Sequence, residues 1–185
     1  MNKTVFALAI ALAFGAVTTV QAQEAVPTAA SAPAPAAIND AQIAHIAYTA
    51  GQIDVAAAKQ ALKKSSNKDV RAFAEEMARD HAAVNVQALA LCKKLGVMPQ
   101  DNPTSQSLSK NAAAEMKKLA ALKDSAFDKA YADNEVAYHQ AVNSALSGTL
   151  IPSAQNAELK SLLETGLKLF QSHEMHAEHL AQSLK

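Results

Sequence analysis

Four long segments of this chain repeat apolar residues at steps of three and four, and no segment alternates apolar with polar. That pattern excludes a half-buried sheet and calls for helices that each bury one stripe. The second segment is the most regular: Val70, Met77, Val84 and Leu91 recur every seventh residue, with Phe73, Ala74, Ala88 and Leu95 in the adjoining tracks. The last is the clearest, with Leu159, Leu163, Gly166, Phe170, His173, Ala177, Leu180 and Leu184 on one face. Ile43, Ile46, Ala50, Ile53 and Ala57 form the first stripe. Ala, Leu, Lys, Gln and Glu dominate and favour helix, and Gly is scarce.

Boundary signals divide the segments. Asn39 with Gln42 predicts a capping box for a helix running to about Lys64. Ser66 with Asp69 predicts the next cap, and Gly96 the end of that helix. A shorter helix is expected from Thr104 to about Lys123. Ser125 with Asp128 predicts a break at Asp124–Ser125 and a helix from Asp128 to Ser147. The stretch SGTLIPS at 147–153 reads as a turn, and the last helix as Ser153 to Leu184, with Gly166 a candidate kink. Long amphipathic helices with short connections predict an all-α antiparallel four-helix bundle, with an additional short helix between the second and third main helices.

The bundle is expected over residues 38–185. Residues 1–22 read as a signal peptide: Lys3 precedes the apolar run Val5 to Val17, and Val20-Gln21-Ala22 places small residues where a signal peptidase cuts. Residues 23–37 are nearly all Ala, Pro, Ser and Thr, the composition of a flexible linker. A periplasmic protein with no membrane span in the mature chain is expected. With 17 basic and 17 acidic residues, there is no basic footprint for nucleic acid. Cys92, the single cysteine, falls among leucines and is expected as a buried thiol.

The stripes are not wholly apolar. His81 lies seven residues after Ala74, with Asp80 beside it; Glu135 lies seven before Val142; His139 lies seven before Leu146. His173 falls between Phe170 and Ala177, and Asp54 lies at the edge of the first stripe. A buried polar group without a partner costs roughly 1–3 kcal/mol, so these groups are expected to meet one another. Two arrangements satisfy them: a hydrogen-bonded cluster, or a transition-metal site, since neutral imidazole and carboxylate bind zinc, iron, manganese or copper. The metal set is then Asp54, Asp80, His81, Glu135, His139 and His173. Set against it, a lone stripe histidine is more often a core residue, Asp80 reads equally as solvated, and Asp128 as a cap. Tyr131 and Tyr138 read as packing aromatics whose hydroxyls are placed to hydrogen-bond to the cluster. In HEMHAEH, at 173–179, the three histidines fan around the helix, so no more than two neighbours share an ion. Depth counted from the predicted turns makes Asp54 and His81 nearly level, but not His139 and His173.

The segments VRAFAEEMARDHAAVNVQALALCKKLGV, AFDKAYADNEVAYHQAV and HEMHAEHLAQSL resemble an exported bacterial family catalogued only as a domain of unknown function and often labelled "predicted outer membrane protein". Met77, Asp80 and His81, then Phe127, Asp128 and Tyr131, then His139 carry the resemblance, which covers the chain from about Ile38. It implies a ferritin-like four-helix bundle, with Asp54, Asp80, His81, His139 and His173 as recurring polar positions of no known role. A membrane barrel would need alternating strands, which this sequence lacks. The dimetal carboxylate pattern of ferritin-like proteins needs Glu-x-x-His on two helices, and this chain has none.

Three function classes follow. The first is a metal-binding module for storage, buffering or stress protection. The second is a structural or interaction protein with a cell-envelope partner. The third is a metal-dependent oxidase or peroxide-removing enzyme, ranked last because no nucleophile constellation or phosphate loop is present, and no catalytic residue is assigned. The oligomeric state is not legible.

Overall fold

The computed structural model describes residues 38–184, and every regular element in that range is helical. The expected signal peptide and linker lie outside the described residues. Helix α1 spans Asp40–Lys64, α2 Lys68–Leu95, α3 Pro103–Ala121 and α4 Asp124–Ala145. A π-helical turn, Leu146–Leu150, leads into the single turn α5, Ile151–Ser153, and then α6 spans Ala157–Ser183. Helix α1 packs chiefly on α2 and α4 chiefly on α6, while α2 also meets α6 and α3 lies on α1.

The caps explain most boundaries. Asn39 forms the predicted capping box with Gln42. Gly96 closes α2 in the left-handed conformation, at φ 65°, which suits a residue without a Cβ. Asn67, not Ser66, caps α2, because its Oδ1 accepts from the backbone N–H groups of Asp69 and Val70. The expected Ser125–Asp128 pair does not form. Helix α4 begins at Asp124, and Asp128 lies in its second turn, buried. SGTLIPS is helical rather than a turn because Leu146 and Leu150 are buried in the core, which keeps that stretch on the bundle. The chain turns at Ala154–Asn156, where Asp40 accepts hydrogen bonds from the N–H groups of Gln155 and Asn156, both at 2.9 Å. Helix α6 runs unbroken through Gly166.

Two apolar clusters form the core. One contains Ala58, Val70, Phe73, Met77, Leu119, Phe127, Tyr131 and Leu180. The other contains Ile43, Ile46, Leu146, Leu150, Leu159, Leu163 and Phe170. On α1, α4 and α6 the ionisable stripe residues fall between the positions supplied to the two clusters, and on α2 His81 follows directly on Met77. Cys92 is buried and free, as its leucine neighbours imply.

Gly51 of α1 lies against the Asn85 side chain of α2. A Cβ there would lie 2.3 Å from Oδ1 of Asn85, itself buried, which is well inside van der Waals contact. Helix propensity alone would make Gly51→Ala stabilising by about 1 kcal/mol. Overpacking opposes it at about 1–3 kcal/mol. Gly51→Ala is therefore expected to lower the urea midpoint, and Gly51→Ala with Asn85→Ala to recover it; a single variant more stable than the parent would show that the helices have room there.

Candidate metal centre

Four helices each contribute to one buried polar layer: Asp54 from α1, His81 from α2, Glu135 and His139 from α4, and His173 from α6. None of the five is more than 2% exposed. Asp54 lies at the centre of the α1 face rather than at its edge, because Gly51, Val55, Ala58 and Ala61 are the residues that α1 buries beside it. Its Oδ2 is 3.3 Å from Nε2 of His81 and 3.5 Å from Nε2 of His139. The three imidazoles surround a common point, with ring centroids 5.3–5.6 Å apart.

His139 and His173 are level after all. The turn at Ala154–Asn156 lies nearly midway between them in sequence, whereas a turn near Thr149 would not. With a rise of about 1.5 Å per residue, the remaining offset is within one helical turn.

Each ring is held by its surroundings. Nδ1 of His139 is 2.9 Å from the backbone carbonyl of Glu135, one turn back, and donates to it. That fixes the tautomer and leaves Nε2 with a free lone pair facing Asp54. His173 donates through Nε2 to Oδ2 of Asp80 at 3.2 Å, which leaves Nδ1 free. This carboxylate–imidazole pairing is how outer groups orient metal ligands. His81 stacks face to face on Phe170, with centroids 4.4 Å apart and planes within 7°. Asp80 therefore backs His173 from outside the layer, held in turn by Nε of Arg79 at 2.7 Å.

Seven side-chain atoms of this layer are buried with no hydrogen-bond partner among the described residues. They are both carboxylate oxygens of Asp54, both ring nitrogens of His81, Oε2 of Glu135, Nε2 of His139 and Nδ1 of His173. Two sets have donor atoms mutually within 4.8 Å: His81, His139 and His173; and Asp54, Glu135 and His139. These groups can hold a metal ion.

Residues 24–180 match DUF4142, a domain of unknown function. The chain belongs to the DUF4142 family. No curated protein and no solved structure matches it. The chemistry of this DUF4142 domain must therefore be read from the layer itself.

Burial dominates its electrostatics. It holds His81 down at about 3, helped by the neighbouring His139 and His173, and His139 down at about 4. It lowers His173 as well, against the hydrogen bond that ring donates to Asp80. Burial raises Asp54 to about 7, and raises Glu135 well above the ordinary carboxylate range with help from Asp54. Without an ion, burial favours unprotonated imidazoles and protonated carboxyls in this layer.

The sequence pattern does not mark every polar group inside. Asn85 is buried against α1, and Asn143 donates to Glu174 at 2.7 Å. Tyr138 donates to the Ala50 carbonyl at 2.8 Å. Asn85 lies four residues after His81, a spacing that marks it as sharing the His81 face.

Stability against pH follows from these shifts. Histidines lowered on folding contribute stability above about pH 6.5 and lose it as pH falls toward their folded values. Carboxyls raised on folding act oppositely: their contribution is present below about pH 4 and lost as pH rises toward 7. Between about pH 4 and 6.5 the three lowered imidazoles oppose the two raised carboxyls, and the imidazoles set the sign. The metal-free DUF4142 domain is expected to lose stability from pH 6.5 to 4.5 in urea titrations with chelator. A flat or rising urea midpoint toward acid would contradict neutral imidazoles in the folded state.

Proposed function

We propose that this chain is an exported, periplasmic protein whose ferritin-like, antiparallel four-helix bundle binds a transition-metal ion in the buried layer, for storage, buffering or protection of the envelope. The observation that carries the reading is the convergence of seven unpartnered buried nitrogen and oxygen atoms in one layer. Leaving a buried polar atom unsatisfied costs about 1–3 kcal/mol. Seven such costs would rival the whole stability of a domain, about 5–15 kcal/mol. A bound cation takes up the free lone pairs of one of the two close donor sets, His81 with His139 and His173, or Asp54 with Glu135 and His139. Mixed imidazole and carboxylate donors suit zinc, iron, manganese and copper. Export is supported by the apolar run at Val5 to Val17 and the small residues through Ala22. Among the described residues, no helix is long and apolar enough to cross a membrane.

A second reading, a structural or interaction protein of the envelope, draws on the separations of 3.3 and 3.5 Å between Asp54 and the two imidazoles. At those distances a protonated carboxyl can share its proton with a ring, and the layer could persist without an ion.

Thermal unfolding of the chelator-treated protein with added zinc, copper, iron or manganese separates the two. At least one metal is expected to raise the melting temperature, and His81→Leu with His139→Leu to abolish that response while the helices remain. Indifference of the parent protein to all four metals would sink the metal reading. Binding should also weaken as pH falls from 7.5 to 5.5, because Asp54, with its value near 7, must release a proton to ligate. An affinity unchanged over that range would remove Asp54 from the ligand set.

A further inference from the structure

Just outside the buried layer, on the far side of His173, lies a second group of donors. Glu76 and Asp80 are four residues apart on α2, and His173 and His176 are three apart on α6. Both spacings put the paired side chains on one face of their helix. The two faces meet. Nδ1 of His176 is 2.7 Å from Oε2 of Glu76, and Nε2 of His173 is 3.2 Å from Oδ2 of Asp80. Donor atoms of Glu76, Asp80 and His173 lie within 4.8 Å of one another. The His176 ring is set edge-on against Phe73, a fully buried core residue, with centroids 5.2 Å apart. Its direction is thereby fixed although it is nearly half exposed.

We propose that Glu76, Asp80, His173 and His176 form a second, outer site for a divalent transition-metal ion. Glu76, Asp80 and His173 bring three donors of the kinds zinc accepts close together, and His176 stands against Glu76 at the rim. The carboxylates carry negative charge at the surface, and the side chains of Glu76, Asp80 and His176 are 29%, 20% and 46% exposed. An ion can therefore reach this site directly from water, unlike the buried one. His173 can serve either site but one at a time, because a neutral imidazole has a single lone pair: an outer ion takes it at Nε2, which moves the ring proton to Nδ1 and leaves Asp54, His81, Glu135 and His139 to the inner layer. The outer site needs no ion in the inner one, so it does not rest on the function proposed above.

The nearest competing account is a pair of ordinary carboxylate–histidine ion pairs. Zinc bound at equilibrium decides between them. The metal-depleted protein is dialysed against buffered zinc at pH 7.5, and bound metal is counted by atomic absorption. Glu76→Gln with His176→Gln is expected to lose one zinc equivalent relative to the parent, with helicity by circular dichroism unchanged. Glu76→Gln alone, a near-isosteric change at a residue paired with His176 and not hydrogen-bonded to the inner layer, is expected to weaken the same equivalent, so the outcome does not hang on the double variant folding. Zinc content equal to the parent in both variants would overturn the outer site and leave ion pairs only. Failure of the inner site looks different: His81→Leu with His139→Leu would then bind as much zinc as the parent, while the Glu76 and His176 substitutions would remove it all.

Discussion

The fold is governed by the burial of ionisable side chains within a helical core. Asp54, His81, Glu135, His139 and His173 come from four helices, and each is excluded from water. Such groups are tolerated in an apolar interior only where they are neutral or matched by opposite charge. Here burial drives the imidazoles and carboxyls toward their uncharged forms, and their lone pairs face one another. The layer is buried yet unsatisfied in its bonding among the described residues, and its donors could hold a metal ion.

Apolar clusters on the two sides of the layer add a second effect. Sliding one helix by a turn would carry imidazole or carboxylate into the company of Phe127 and Tyr131, or of Leu159 and Leu163. The mismatch acts against every alternative alignment at once. Polar groups inside bundles are known to fix register in this way. Contact between Gly51 and Asn85 reinforces the same alignment between α1 and α2 through shape rather than charge.

Much of this is legible in the sequence, and the exceptions have physical causes. Periodicity alone places the helices, because each buries one stripe over many turns. The inward direction of His81, His139 and His173 is legible for the same reason. Caps are less so: Ser66 and Asn67 are both capping residues, and only the backbone hydrogen bonds tell which one acts. The segment at 147–153 misleads because Gly148, Pro152 and three Ser or Thr residues look like a turn, while the burial of Leu146 and Leu150 holds it helical. That single error displaces the turn and with it the predicted depth of His139. Asp80 joins the inner set in sequence by its position beside His81, yet adjacent helical residues diverge by roughly 100°, and its carboxylate faces outward to His173 and Arg79. The pairing of Glu76 with His176 spans two distant segments and requires three dimensions.

The π turn at Leu146–Leu150 carries a consequence for chain length. A π turn accommodates one residue more than the α turn it replaces. It thus stores a surplus residue between the segment that aims His139 and the corner that aims α6. Relatives one residue shorter in this stretch could revert to plain α geometry without disturbing the donors upstream, whereas a deletion between Glu135 and His139 would rotate one donor by roughly 100° relative to the other.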